Sequence, residues 1–179
     1  MLVFSEYQTD TIDLALDFYG YEDCPKNYEF GPSFRDNFVL HFITKGKGVF
    51  HINKNEIHLE AGDLFLLPKN KVTYYKADAE EPWSYYWIGI SGTKVSDFMR
   101  FSTLHEKGFL KKNEVETEKI GQFMEQLVHK AEDSKMTSHY QLHLLSQIYE
   151  LLFLISEVAP DIHRSHPSPT YQLYLTCKH

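Results

Sequence analysis

Between residues 37 and 90 the apolar positions come in short stretches, at 37–43, 47–53, 56–59, 63–67, 72–77 and 83–90, with turn formers such as Gly46, Asn53, Asn55, Gly62, Pro68 and Asn70 at the breaks. Runs of this length bounded in this way predict strands, and six in succession predict an antiparallel sandwich or barrel. Within 50–59 the pattern predicts a hairpin turning at Lys54-Asn55, since Asn tolerates positive φ. After Gly92 the period becomes helical. Residues 93–101 fit a short helix. Asn113 with Glu116 predicts the N-cap of a second, carrying Ile120, Phe123, Met124, Leu127 and Val128 on one face. Ser138 to Gln141 forms a capping box that opens the longest helix, running to about Val158 ahead of Pro160. The expected fold is therefore α+β, mainly β, with a β barrel followed by C-terminal α-helices. Residues 1–92 would hold an N-terminal arm (1–18) and the barrel, 93–159 the helices, and 160–169, with Pro167 and Pro169, a linker. A helix-like pattern resumes over 170–179.

Composition narrows this picture. A chain of 179 residues can bury roughly 70% of its unfolded surface in one domain. Cys24 and Cys177 stand far apart with no paired motif, which favours a reduced, cytoplasmic setting over a disulfide framework. The start lacks a basic region and carries Glu6, Asp10, Asp13 and Asp17, so it does not read as a secretory signal. The longest apolar run, 151–155, is far too short to span a bilayer. With 18 Lys and Arg against 25 Asp and Glu, the net charge of −7 disfavours direct binding to nucleic acid by this chain.

Both tryptophans and four of the twelve tyrosines fall between residues 74 and 87. In a strand over 83–88, Trp83, Tyr85 and Trp87 share one face, with Ser84, Tyr86 and Ile88 on the other. Such a row suits the C–H face of a sugar ring, and it suits an aromatic β core equally well. Arg35, just before the first strand, could bond sugar hydroxyls or form an ion pair with Asp36 or Glu29. The candidate ligand-binding set is Arg35, His41, Tyr74, Trp83, Tyr85 and Trp87. In the long helix, Leu144, Leu145, Ile148, Leu151, Leu154 and Ile155 are candidate dimerisation residues. The competing expectation is that the barrel and the preceding helix cover both of its apolar sides.

Ten histidines raise the question of a metal. The spacing of Gly46, His51, Glu56, Gly62 and Pro68 is cupin-like, yet the partner of His51 is Asn53, and the segment after Pro68 offers Asn70, Val72 and Thr73. One histidine does not make a centre that needs about three protein ligands, so neither metal nor cofactor is expected. His51 and His58 read as partly buried strand residues, and His163 and His166 as solvated. No nucleophile elbow, Walker loop or dinucleotide fingerprint occurs, and no catalytic residues are assigned. The rival functions are a metal-dependent cupin enzyme acting on a small sugar or polyol, and a purely structural dimerisation module.

Three segments, 35–48, 59–68 and 82–92, together resemble the N-terminal effector domain of AraC-type transcription regulators. The resemblance extends from about Gly20 to Val158. The opening Gly20-Tyr21-Glu22-Asp23-Cys24-Pro25 and Gly31-Pro32 is similar to the branch that regulates multiple-sugar or raffinose/α-galactoside utilisation. It implies a cupin-like double-stranded β-helix (jelly-roll) barrel that holds a small sugar or oligosaccharide, followed by helices that form a homodimer. It implies that Trp87 stacks on the sugar, that Tyr85 and Tyr74 lie on the pocket wall, and that an arginine near Arg35 binds hydroxyls. It also implies that residues 170–179 begin a DNA-binding part, so that DNA is met only through a domain C-terminal to this chain.

Overall fold

The computed structural model describes residues 13–133 and 138–163. Its strands are β1 (Ala15–Asp23), β2 (Glu29–Phe34), β3 (Phe38–Lys45), β4 (Lys47–Ile52), β5 (Asn55–Glu60), β6 (Leu64–Leu67), β7 (Val72–Ala77), β8 (Ser84–Ser91) and the short β9 (Phe109–Leu110). The first eight pair as a nested antiparallel series, β1 with β8, β2 with β7, β3 with β6 and β4 with β5. This is one long hairpin rolled upon itself. Lateral pairing of β3 with β8 and of β4 with β7 divides it into two sheets, ordered β1-β8-β3-β6-β9 and β2-β7-β4-β5. The result is a cupin-like jelly roll. Helices α1 (Val95–Met99), α2 (Leu104–Lys107), α3 (Thr117–Asp133) and α4 (Ser138–Val158) follow.

The two sheets differ in what covers them, and their sequences differ accordingly. The four-stranded sheet has one solvated face, so β4 and β7 alternate between exposed or half-buried and buried positions. The five-stranded sheet is covered on both faces. In β3, Val39 and Ile43 enter an aromatic core between the sheets, whereas Phe38, Leu40 and Phe42 join a second core under the helices. In β8, Trp87 and Tyr85 face the first core and Tyr86, Ile88 and Ile90 the second. The helices therefore pack as a third layer on the barrel wall, with Ile120, Met124, Leu127 and Val128 of α3 buried against it.

The six predicted strands are present with shifts of one or two residues at their ends. The hairpin turns at Asn53-Lys54 rather than Lys54-Asn55. Both residues have positive φ, 51° and 65°, the requirement of a type I′ turn, and Ile52 pairs with Asn55. Helix α3 begins at Thr117, not after Asn113, because residues 111–115 form a separate turn. That turn is pinned by the Lys112 amide donating to Asp63 Oδ1 at 3.0 Å, and Thr117 Oγ1 donates to the Gly62 carbonyl at 2.6 Å. Strands β1 and β2 were not expected. Residues 15–18 belong to the barrel rather than to an arm, while residues 1–12 lie outside the described residues, as do 164–179, which contain His166, Cys177 and most of the expected linker. Pro160 bridges to Ser102, so the chain just beyond α4 is tied to the segment after α1.

The candidate dimerisation residues need correction. Leu144, Ile148, Leu151 and Ile155 are buried in the protomer's own core, and Leu145 and Leu154 are partly buried against it. The five-stranded sheet and α3 claim that face of α4 because they have no other cover. A different stripe remains outside: Leu142, Tyr149 and Phe153 are exposed, at 70%, 45% and 55%. Among the described residues, no helix is long and apolar enough to cross a membrane. Truncating Ile148 or Leu151 to Ala should lower the unfolding free energy by about 2–5 kcal/mol, as for other fully enclosed aliphatic side chains. Urea denaturation measures this. A loss near zero would mean that these residues are not core.

Candidate effector site

A cavity of about 180 Å³ lies between the two sheets. Strand β1 supplies Phe18 and Glu22, the β1–β2 loop Tyr28, and β2 Phe30. Arg35 stands at the β2–β3 connection. The inward alternation of β3 supplies Val39 and His41, β6 Leu67, β7 Tyr75, and β8 Tyr85 and Trp87. Two glycines let the largest rings sit flat. A Cβ on Gly20 would lie 2.8 Å from the Trp87 indole, and one on Gly89 would lie 2.1 Å from the Phe18 ring. These are cross-strand neighbours, Gly20 opposite Trp87 and Phe18 opposite Gly89, and the two rings meet edge to face at 5.3 Å.

Polar groups of three different characters, cationic, anionic and neutral, reach this apolar chamber. The Arg35 guanidinium lies over Phe18 and Phe30, 5.8 and 5.0 Å from the ring centroids. Of its expected ionic partners, Glu29 is otherwise engaged, accepting from Tyr74 at 2.7 Å and standing 3.8 Å from Lys76. Glu22 accepts a 3.3 Å bond from Tyr85, whose hydroxyl is 3.2 Å from that of Tyr75. Burial pushes both phenols further from ionisation, so this pair stays neutral. His41 stacks on Phe65 at 4.4 Å, and its Nδ1 is buried without a partner among the described residues. Burial, then the nearby Arg35 charge, lowers its pKa from 6.5 to about 3. A neutral imidazole offers one donor and one acceptor.

Of the six candidate ligand residues, the cavity brings together Arg35, His41, Tyr85 and Trp87. Trp83 shares the face of Tyr85 and Trp87 but is fully buried, stacked on Phe65 at 5.4 Å, with its ring occupying the space that a side chain on Gly48 would need. Tyr74 points the other way, out of the four-stranded sheet, and its neighbour Tyr75 lines the cavity instead. The aromatic row is thus part core and part wall. Sequence reasoning missed Phe18, Glu22, Tyr28, Phe30, Val39, Leu67 and Tyr75. A signal existed for the first two, since Phe18, Gly20 and Glu22 alternate as one face of a strand. His51 and His58 lie on β4 and β5 and both approach Glu56, at 3.8 and 3.3 Å. Among the described residues, no group of three or more His, Cys, Asp or Glu is placed to hold a metal. Cys24 is buried, and its thiol is pushed up to about 11, mainly by desolvation.

A jelly roll with a partly open aromatic chamber and a few inward polar groups defines a small-molecule-binding barrel. The chain belongs to the family described as the AraC-like ligand binding domain, which matches residues 15–152. It is 36% identical over 173 residues to the Msm operon regulatory protein of Streptococcus mutans serotype c, covering 97% of this chain and 61% of that protein. It is 41% identical over 97 residues to the raffinose operon transcriptional regulatory protein of Pediococcus pentosaceus, covering 52% of this chain and 35% of that protein. It is 26% identical over 162 residues to the lactose operon transcription activator of Staphylococcus xylosus, covering 90% of this chain and 57% of that protein. The chain thus spans about three-fifths or less of these curated relatives.

The buried His41 sets a pH dependence. Its folded pKa lies below the unfolded value, so the unfolded chain binds the extra proton and stability falls as pH drops from 6.5 towards about 3. The slope should approach ~1.4 kcal/mol per pH unit in that window. Comparing urea midpoints of the wild type and His41→Leu from pH 7 to 4 isolates this contribution. Parallel curves for the two proteins would contradict a neutral, buried His41.

Proposed function

We propose that this chain is the effector-binding and dimerisation part of a sugar-responsive, AraC-type transcription activator of carbohydrate utilisation, acting in the cytoplasm and not as an enzyme. The observation that carries the reading is the chamber itself. Aromatic faces of Phe18, Tyr28 and Trp87 surround a donor-only group, Arg35, an acceptor-only group, Glu22, and neutral groups that can do either. A sugar has apolar C–H faces and hydroxyls that both donate and accept, so it matches this mixture. Because Arg35 and Glu22 carry opposite charges, the lining favours a neutral ligand over a strongly charged one. The relatives that regulate raffinose and lactose operons support the same reading, with the raffinose/α-galactoside class in first place. Against a metal-dependent enzyme stands the donor set, in which His41 is the one histidine among the described lining residues.

Strand β8 provides a route outward. Trp87 faces the cavity, while the adjacent Tyr86 hydroxyl donates to Glu125 of α3 at 3.0 Å and lies 3.2 Å from His129. A ligand that repositions β8 therefore acts directly on the helix layer, by no more than its differential affinity for the two arrangements. The outward stripe of α4, Leu142, Tyr149 and Phe153 at helical spacing, is the surface we assign to homodimerisation, with Leu145 at its edge. Residues 93–159 thus form the dimerisation region. DNA contact belongs to a part of the regulator that this chain does not span.

Two experiments test the assignment. Calorimetric titration with a panel of neutral mono- and oligosaccharides should find a ligand, and Trp87→Ala should weaken it at least tenfold, or ~1.4 kcal/mol, while unfolding stays cooperative. Unchanged affinity in a folded variant would remove Trp87 from the site. For the dimer, Phe153→Glu combined with Leu142→Glu should shift light-scattering mass from dimer to monomer across a dilution series. A wild-type chain that is monomeric at high micromolar concentration would defeat this use of α4.

A further inference from the structure

The inner chamber is small. At about 180 Å³ it only slightly exceeds the ~150 Å³ cavity that accommodates a benzene ring. That space matches a single pyranose ring. A second depression of about 620 Å³ shares Phe18, Phe30 and Arg35 with the chamber and continues outward along Ser33, Phe34 and Asn37. Within it, Ser33 Oγ, Arg35 Nε and Asn37 Oδ1 are buried with no hydrogen-bond partner among the described residues.

Such a concentration of unpaired polar atoms is unusual, since buried polar groups are nearly always paired. Asn37 is the most constrained of the three. It is 8% exposed, and its amide nitrogen donates to Asp17 at 2.9 Å, which orients the oxygen as an acceptor. Beside these groups stands Phe34, 65% exposed at the end of β2, paired across the sheet with Val72, which is also exposed. A bare aromatic face next to an inward-held acceptor, a hydroxyl and a guanidinium repeats the chemistry of the inner chamber at one ring's remove.

We propose that this outer depression is a second saccharide subsite, so that the effector is an oligosaccharide of at least two rings. The terminal ring occupies the inner chamber, and the adjoining ring stacks on Phe34 with its hydroxyls toward Ser33 and Asn37. Arg35 lies between the subsites and contacts both. This inference rests on the sugar reading given above, and it adds that chain length is sensed outside the barrel core.

The test is calorimetric titration of the chain with matched sugars that share a terminal ring: galactose with melibiose, galactose with lactose, and glucose with maltose. In at least one pair the disaccharide should bind about tenfold or more tightly than its terminal monosaccharide. Phe34→Ser, at an exposed position where folding is not at stake, should abolish most of that difference while leaving the monosaccharide affinity unchanged. Ser33→Ala, which removes an atom with no partner among the described residues, should lower only the disaccharide affinity. If the two members of every binding pair are equal, or if Phe34→Ser weakens both alike, the outer subsite is wrong and the sugar reading survives. If no saccharide binds the wild type, the sugar reading falls and takes this inference with it.

Discussion

Burial of the β1-β8-β3-β6-β9 sheet on both faces governs the rest of the molecule. One face meets the second sheet and the other meets α3 and α4, so neighbouring residues of the central strands enter different cores. The two cores share the backbone of these strands. If the helices were removed, Leu40, Phe42, Ile88 and Ile90 would be exposed on the barrel wall, and area-proportional hydrophobic burial would turn from favourable to lost. The apolar inner face of α4 has the same origin. It looks like a dimer seam when the helix is viewed alone, and it is the roof of the barrel when the helix is in place.

The cavity follows from how the aromatic core is filled. At one end Phe50, Phe65, Trp83 and Tyr75 pack against one another, with Phe65 in ring contact with five neighbours including His41 and Tyr85. Toward the β1–β2 side the rings of Phe18 and Trp87 lie across glycines, which leaves a space framed by rigid planes rather than filled by flexible aliphatic chains. Polar groups can reach this space because each has a supporting contact: Arg35 on two rings, Glu22 on the Tyr85 hydroxyl, and His41 on Phe65. The chamber is consequently largely formed before any ligand arrives.

Most of the barrel was legible in the sequence, because short apolar runs and the turn residues between them are local signals. The strands from β3 to β8 and the span of α4 follow from them almost residue by residue. Strands β1 and β2 escaped because their apolar residues are interrupted: by a bulge between Leu16 and Phe18 in the first, and by Gly31-Pro32 and a register shift between Phe30 and Ser33 in the second. The start of α3 was misplaced for a related reason. Asn113 and Glu116 have the composition of a cap, but Asp63, distant in sequence, holds that turn apart from the helix.

The site was legible by residue type and illegible by orientation. The sequence by itself determined that aromatic residues would concentrate around β7 and β8, that Tyr85 and Trp87 would share a face, and that too few histidines stand at the spacing of a metal site. The tertiary structure alone decided that Trp83 is sealed under Phe65, that Tyr75 rather than Tyr74 looks inward, and that Glu22 and Phe18 join Arg35 and His41 from strands distant along the chain. The physical reason is that a strand's alternation fixes which residues go together but not which side is inside. In the Tyr74-Tyr75 pair both choices are aromatic, and only the pairing of β7 with β2 and β4 selects between them.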